Sequence, residues 1–283
     1  MSIIVNSHLL FTELRNDLKK IYDGSEPDFL SFWIIEDFLG ITKAQVLVRE
    51  EIPIDPEKFD HFQQSRGRLI QGYPIQHILG YAYFMEHKFK VTPDVLIPRP
   101  ETEELVLTAS KNVLDSAQLL DIGTGSGCIA IALKKQLPSL AVHAWDESSQ
   151  ALEVAKLNAR ELQADVVFSQ QDVFEKWPDQ TWDFIVSNPP YIQEKEKDLM
   201  HTNVLDHEPE LALFVPDEHP LIFYTRIVDQ GQKHLKSGGF LLFEINESFG
   251  QEMLEMMKQK GLKNVQLLKD GFGKDRMTIG QKA

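Results

Sequence analysis

The chain has 283 residues, 42% of them hydrophobic and 25% charged, which is enough to bury one large core and a smaller one and excludes a disordered chain. A formal charge of −14 argues against broad, non-specific binding to nucleic acid, since a polyanion is repelled at long range. A single cysteine, Cys128, excludes an intramolecular disulfide and a cysteine-built zinc site. With no signal-type N-terminal segment and no run of about 18 apolar residues, the expected setting is the cytoplasm, away from membranes.

From His8 to about Ile70, apolar residues recur at helical spacing, with breaks at Asp23-Gly24-Ser25 and at Gly40. Residues 1–73 are therefore expected to form a small helical bundle. Residues 74–100 change character. Tyr81, Tyr83, Phe84, Phe89 and Val91 alternate with polar residues around Glu86-His87, as in a β-hairpin, and this stretch is expected to be a structured linker. From 101 to 283 short apolar strands alternate with helices. Leu119-Leu120, Ala141-Val142, Val166-Val167-Phe168 and Phe184-Ile185-Val186 read as buried strands, with helices at Cys128 to Lys135 and Ser149 to Leu162. Gly239 to Ile245 and Met277-Thr278-Ile279 add two more strands. An α/β fold with a parallel sheet, covered on both faces and binding ligands at its strand C-termini, follows.

Asp121-Ile122-Gly123-Thr124-Gly125-Ser126-Gly127 joins the first of these strands to a helix. Its glycines permit a tight turn and close approach to a ligand, and the helix N-terminus offers free N–H groups. The spacing is not the G-x-G-x-x-G of dinucleotide folds, and the lysine of a P-loop is missing. An acidic residue at Asp121 disfavours pyrophosphate and suits a nucleoside with a cationic centre. Asp146, about twenty residues beyond the loop, is placed to accept both hydroxyls of a ribose. Asp172 could accept from an adenine amine, with Val173 or Phe174 covering the ring. This ordered set resembles the site of class I (Rossmann-like) S-adenosylmethionine-dependent methyltransferases, over roughly Leu119 to Ile279.

Asn188-Pro189-Pro190-Tyr191 ends the fourth strand. Each proline fixes φ at about −65° and removes an N–H, so the Asn188 amide and the Pro189 carbonyl project from a stiffened loop as acceptors awaiting a planar NH2 donor. The tetrapeptide resembles the motif of methyltransferases acting on nitrogens conjugated to a π system. Asn188 and Pro189 would then hold the two N–H bonds and aim the lone pair, while Tyr191 packs against the planar group.

Pro74-Ile75-Gln76-His77-Ile78-Leu79-Gly80, Phe84 and Val95 to Glu103, including Ile97-Pro98-Arg99-Pro100-Glu101-Thr102, resemble the PrmC/HemK family of protein-(glutamine-N5) methyltransferases. His207-Glu208-Pro209, Ala212-Leu213, Ser237-Gly238-Gly239 and Glu244-Ile245 extend the likeness to nearly the whole chain. The resemblance implies a helical substrate-docking domain, a β-hairpin linker and a catalytic domain. The cofactor it implies is S-adenosyl-L-methionine, and the substrate is the glutamine of the Gly-Gly-Gln motif in class I peptide chain release factors. The cofactor would be held by Asp121, Gly123, Thr124, Gly125, Ser126, Gly127, Asp146, Asp172, Val173 and Asn188, and the glutamine by Asn188, Pro189, Pro190 and Tyr191. Val173 and Asn246 depart from the family's usual tryptophan and glycine. Arg99 is read as a cover for the site or, preferably, an anchor to a carboxylate. Thr102, before Glu103-Glu104 and Leu105-Val106, reads as a helix cap. His77 and His207 read as packing residues and Cys128 as a small packed thiol. Two rivals remain: a methyltransferase of adenine or guanine amines in nucleic acid, and a catalytically silent adaptor. No metal and no direct nucleic-acid partner are expected.

Overall fold

The computed structural model describes residues 2–114, 116–199, 205 and 207–283. Two compact units divide the chain: Met1–Gly80 with His201–His207, and Tyr81–Met200 with Glu208–Ala283.

The first unit contains β1 (Ile3–Asn6), α1 (Ser7–Leu18), α2 (Glu26–Leu39), α3 (Lys43–Leu47), β2 (Glu51–Ile54), α4 (Pro56–Ile70) and α5 (Ile75–Leu79). Leu10, Leu14 and Leu18 of α1 and Leu30, Ile34 and Ile35 of α2 form apolar stripes that share a core with Phe62 and Leu69 of α4. Asn6 Oδ1 caps α1 by accepting the Leu9 N–H at 2.9 Å, and Gly40 ends α2 in the left-handed region at φ 67°. The all-helical expectation misses one antiparallel pair, in which Ile3 of β1 stands opposite Ile54 of β2. Four residues on each strand, separated in sequence by three helices, carry too little alternation to announce a pairing.

The stretch 74–100, expected as a hairpin linker, is composite. Ile75 and Ile78 of α5 belong to the core of the first unit, and the hairpin itself opens the second. It consists of β3 (Tyr81–Phe84) and β4 (His87–Lys90). Met85 and Glu86 turn it with φ of 48° and 65°, both positive as a type I′ turn requires. Glu103 Oε1 accepts the Met85 N–H at 2.7 Å.

The rest of the second unit begins with α6 (Pro100–Asn112), β5 (Gln118–Ile122), α7 (Cys128–Gln136), β6 (Ala141–Asp146), α8 (Ser149–Glu161), β7 (Val166–Gln170), β8 (Trp182–Ser187) and β9 (Ile192–Gln193). It continues with β10 (Phe214–Val215), α9 (Ile222–His234), β11 (Leu235–Glu244), α10 (Gly250–Gln259), β12 (Lys263–Lys269) and β13 (Asp275–Gln281). Seven strands form one sheet in the order β12-β13-β11-β8-β5-β6-β7. The strands β11, β8, β5, β6 and β7 run parallel, and β13 is antiparallel to both of its neighbours.

Neighbouring strand residues point to opposite faces, and here both faces are covered. Leu119, Phe184, Val186 and Leu242 pack with Leu105, Ile129 and Leu133, whereas Leu120, Ile185, Leu241 and Phe243 pack with Tyr224, Ile227 and Met253. That two-sided burial explains why the strands read as unbroken apolar runs. The chain passes from β5 outward through β6 to β7, then returns to place β8 on the other side of β5. This reversal is a topological switch point, and it opens a crevice between the loops that follow β5 and β8.

Asn158 of α8 ties the hairpin to the loop after β5. It is fully buried, its Oδ1 accepts the Lys90 N–H at 2.7 Å, and its Nδ2 donates to the carbonyls of Lys90 and Ser126 at 3.0 and 2.9 Å. Replacing it by the similarly sized leucine strands one N–H and two carbonyls. Asn158→Leu should therefore lower unfolding stability by about 2–4 kcal/mol, read from urea denaturation. A midpoint equal to that of the parent chain would show that these backbone groups find other partners.

Candidate active site

A cleft of about 870 Å³, a figure that includes its solvent-open part, lies at the switch point. Ile122, Gly123 and Gly125 from the β5 loop, Asp146 to Ser148 from the end of β6, and Ser187 to Pro190 after β8 form its base. Asp94 to Leu96, Pro209, Leu211 and Ala212 add walls, as do Gln171 and Val173, with Phe223 and Ile227 from one face of α9.

The glycine loop is held from its neighbour strand. Gly123 and Thr124 N–H groups donate to the Trp145 carbonyl, each at 2.9 Å, and the Gly125 N–H donates to Asp146 Oδ2 at 2.8 Å. These loop N–H groups are thus already used, and a carboxylate stands where a phosphate would have to go. That excludes a pyrophosphate cradle and favours a ligand without negative charge. Gly123 and Gly125 have φ of 72° and 54°, and a Cβ on either would meet nothing within 4 Å, so open space lies beside the backbone. At Gly127 a Cβ would strike Ile131 and Ala155, so this glycine serves the packing of α7 on α8.

Asp146 faces the cleft with both oxygens anchored, Oδ2 by Gly125 and Oδ1 by the Ser148 N–H at 2.9 Å. Each carboxylate oxygen keeps a second lone pair for a ligand hydroxyl. Burial raises its pKa, and raises that of Glu147 beside it. Asp121 is wholly buried. Its Oδ2 accepts the Thr124 hydroxyl at 2.7 Å, while Oδ1 has no hydrogen-bond partner among the described residues. Burial pushes its pKa up to about 7 against the opposing Thr124 hydrogen bond. Open glycines and an Asp146 with lone pairs to spare fit a ligand with ribose hydroxyls, and the buried Asp121 carboxyl behind the loop suits a positive charge on it.

Several residues expected to touch the cofactor do not line this cleft. Asp121, Thr124, Ser126 and Gly127 lie behind the loop and hold its shape. Asp172 is turned into its own loop, where Oδ1 accepts the Phe174 N–H at 2.8 Å, and Gln171 takes its place on the wall. Of Val173 and Phe174, Val173 lines the cleft. Phe174 is 42% exposed and packs on Phe223 with ring centroids 5.1 Å apart. Arg226 holds this loop by donating to the carbonyls of Val173, Phe174 and Glu175.

Asn188, Pro189 and Pro190 line the cleft as expected. Asn188 Nδ2 donates to Thr102 Oγ1 at 3.3 Å, and no described residue donates to Asn188 Oδ1 or to the Pro189 carbonyl. Tyr191 departs from the expected role. Its ring packs with the core under α9, and its hydroxyl donates to Glu244 Oε1 at 3.1 Å, so it braces the tetrapeptide from below. Thr102 is not a cap. It lies inside α6, whose N-cap is Arg99, and its hydroxyl donates to Glu244 Oε2 at 2.8 Å. Arg99 is the anchor it was preferred to be, with Nη2 at 2.5 Å from Oε1 of buried Glu208, whose Oε2 accepts the Ile97 N–H at 3.0 Å. His207 stacks on Tyr73 at 4.0 Å, and burial pushes the Cys128 thiol up to about 12, which leaves it unreactive. The walls at Asp94 to Leu96 and at Leu211 were missed. Their only sequence signal is adjacency to the Ile97-Pro98-Arg99 and Glu208-Pro209 segments. Among the described residues no cluster could hold a metal ion.

Fold and cleft together define a class I, Rossmann-like methyltransferase domain. Family comparison agrees: residues 101–211 match the methyltransferase small domain and residues 10–80 the PrmC N-terminal domain. The release factor glutamine methyltransferase of Bacteroides thetaiotaomicron is 48% identical, covering 93% of this chain and 96% of that protein. The one from Flavobacterium psychrophilum is 39% identical, covering 94% and 95%. The chain belongs to the release factor glutamine methyltransferase family. Among solved structures, a methyltransferase from Pyrococcus furiosus shares the fold at TM-score 0.56 and 18% identity, covering 78% of this chain and 99% of that one. The 16S rRNA N2 G1207 methyltransferase of T. thermophilus shares it at TM-score 0.52 and 14% identity, covering 72% and 50%.

Asp121 gives a test that needs no substrate. Its native pKa lies above its unfolded value, so the folded chain binds the proton more tightly. The resulting destabilisation is absent below about pH 4 and complete above pH 7. At about 1.4 kcal/mol per tenfold change in acid strength, ionisation costs roughly 4 kcal/mol as an upper bound. Asp121→Asn should therefore lose less stability than the parent between pH 4 and 7.5 in thermal unfolding of the ligand-free protein. Parallel pH profiles for the two would show that Asp121 titrates normally.

Proposed function

We propose that this protein transfers a methyl group from S-adenosylmethionine to the side-chain amide nitrogen of the glutamine in the Gly-Gly-Gln motif of class I peptide chain release factors. The observation that carries this reading is the pair of acceptors after β8. Asn188 and Pro189 line the cleft beside the glycine loop, and Asn188 Oδ1 and the Pro189 carbonyl have no donor among the described residues. A primary amide has two N–H bonds to give them. Its nitrogen is a poor nucleophile because the lone pair is delocalised into the carbonyl. Two acceptors fixed on a proline-stiffened loop favour the pyramidal geometry in which that lone pair is free, so orientation and electrostatics do most of the work.

The bound cofactor supplies the methyl electrophile on a sulfonium centre. The chain's own part is to hold it. Asp146 would accept the ribose hydroxyls, Gly123 and Gly125 would let it lie against the backbone, and Val173, with Phe223 and Ile227, would cover its base. Asp94, Asp146 and Glu147 line the cleft, and among the described residues no lysine, arginine or histidine lines it. That charge suits a cation and repels a phosphate backbone, which favours a protein amide over a nucleobase as the acceptor. Release factors as partner, the helical unit as a docking element and a cytoplasmic setting complete the reading. Among the described residues no helix is long and apolar enough to cross a membrane.

The test is to incubate the full chain with methyl-labelled S-adenosylmethionine and either recombinant release factor or nucleic acid. Label is expected on release factor, on the glutamine of Gly-Gly-Gln. Label on DNA or RNA alone would overturn the assignment, and no label on either would favour an adaptor. Asn188→Ala should lower turnover on the order of a hundredfold, as for a lost transition-state hydrogen bond. Unchanged turnover would remove Asn188 from the mechanism.

A further inference from the structure

A clamp of two acceptors works only if Asn188 presents its oxygen to the cleft and turns its NH2 away. The two ends of a carboxamide have nearly the same shape, so packing alone cannot choose between them. Hydrogen bonding can. Glu244, at the C-terminal end of β11, is 1% exposed and accepts two hydroxyls: Thr102 Oγ1 at 2.8 Å on Oε2 and Tyr191 at 3.1 Å on Oε1. The Thr102 hydroxyl donates its single proton to Glu244 Oε2. Its oxygen is then left as an acceptor only, and the group 3.3 Å away on Asn188 must be a donor, which is Nδ2. Oδ1 is thereby turned away from Thr102.

We propose that Thr102 and Glu244 are positioning residues for Asn188, a polar relay in which the carboxylate fixes the direction of the threonine hydroxyl and the hydroxyl fixes which end of the asparagine amide faces the substrate. The relay rests on the amide-clamp reading above. Its three members come from the start of α6, the loop after β8 and the end of β11, so a single buried carboxylate sets the polarity of a group on another strand. Burial raises the Glu244 pKa above the usual carboxylate value, and the Thr102 and Tyr191 hydrogen bonds and the Arg276 charge oppose that rise. The same carboxylate braces both ends of the tetrapeptide, since Tyr191 is its other donor.

The experiment uses the full chain, release factor and labelled S-adenosylmethionine. Thr102→Val removes the hydroxyl at constant volume and should lower kcat tenfold or more. Cofactor affinity by calorimetry should stay within twofold, and the thermal midpoint within a few degrees. Thr102→Ser restores the hydroxyl and should recover most of the rate. In the Asn188→Ala background Thr102→Val should slow the reaction no further, because the group it orients is gone. Glu244→Gln, which can donate to Thr102 and so release the hydroxyl toward Asn188, gives a second route to the same loss should the valine variant fold poorly. The relay is overturned by a kcat within twofold of the parent in Thr102→Val or, if that variant does not fold, in Glu244→Gln. A serine variant as slow as the valine, or multiplicative losses in the double variant, would equally overturn it. A parent chain that does not methylate release factor overturns the functional reading and takes the relay's role with it, an outcome visible before any variant is compared.

Discussion

A carboxylate buried at the end of a central strand is expensive unless every lone pair is met, and Glu244 imposes that demand on the elements around it. Thr102 of α6 and Tyr191 of the loop after β8 meet the side chain, and the Tyr224 hydroxyl of α9 meets the backbone carbonyl at 3.0 Å. Arg276 of β13 supplies opposite charge from the antiparallel edge of the sheet, and is itself held by Asp270 at 3.1 Å. Two helices, the loop after β8 and two strands are therefore aligned by one requirement. An apolar residue in its place would pack more cheaply, but it would leave the Thr102 and Tyr191 hydroxyls without acceptors and the asparagine without a fixed polarity.

A second buried carboxylate plays the same part on the other wall. Glu208 takes the Ile97 N–H and the Arg99 guanidinium, so the segment carrying Asp94, Val95 and Leu96 is fastened to the one carrying Pro209, Leu211 and Ala212. Both segments line the cleft, the first as irregular loop and the second as the single 3-10 turn Glu210–Ala212. Hydrogen bonds to a charged acceptor are among the stronger ones available to a loop, so walls this short of regular structure can still be held in place. The cleft thus has a floor set by the parallel sheet and walls set by ion pairs. Its cofactor-facing and substrate-facing halves meet at the β5 and β8 ends, where Ser187 Oγ donates to the Ile122 carbonyl at 2.7 Å.

Much of this was legible from residues alone because local pattern and burial coincide. Parallel strands covered on both faces must be apolar runs, and Leu119-Leu120 and Phe184-Ile185-Val186 declare themselves as such. The glycine loop and the Asn-Pro-Pro-Tyr turn are compact in sequence because each is one turn at one strand end. What escaped the reading depends on partners far apart in the chain. Thr102 resembles a cap because acidic residues and an apolar run follow it, yet its hydroxyl is taken by a carboxylate 142 positions away. The role of Glu208 depends on an arginine 109 positions away, and the β1–β2 pair joins segments on either side of three helices. Asp172 looked like a ligand because it follows a strand, but its side chain was nearer to its own loop amide than to the cleft.

These long-range partners also bear on how a shared fold comes to accept different substrates. The Asp121-to-Gly127 loop and Asp146 meet the requirements of a cationic nucleoside and say nothing about the methyl acceptor. In the proposed clamp Asn188 and Pro189 would select a planar NH2 group, which a nucleobase and a glutamine both possess. Discrimination between those two would fall to what surrounds the clamp. Here the walls contribute Asp94, Leu96, Pro209 and Leu211 to the cleft, and no cation among the described residues. A base would arrive with its phosphates, and each would have to be accommodated beside carboxylates in a region of low dielectric, where like charges interact strongly. A glutamine arrives on a peptide whose backbone is neutral and whose amide can be desolvated against apolar walls. On the proposed function, specificity would therefore rest less on the tetrapeptide that grips the nitrogen than on the acidic walls that Arg99 and Glu208 hold around it.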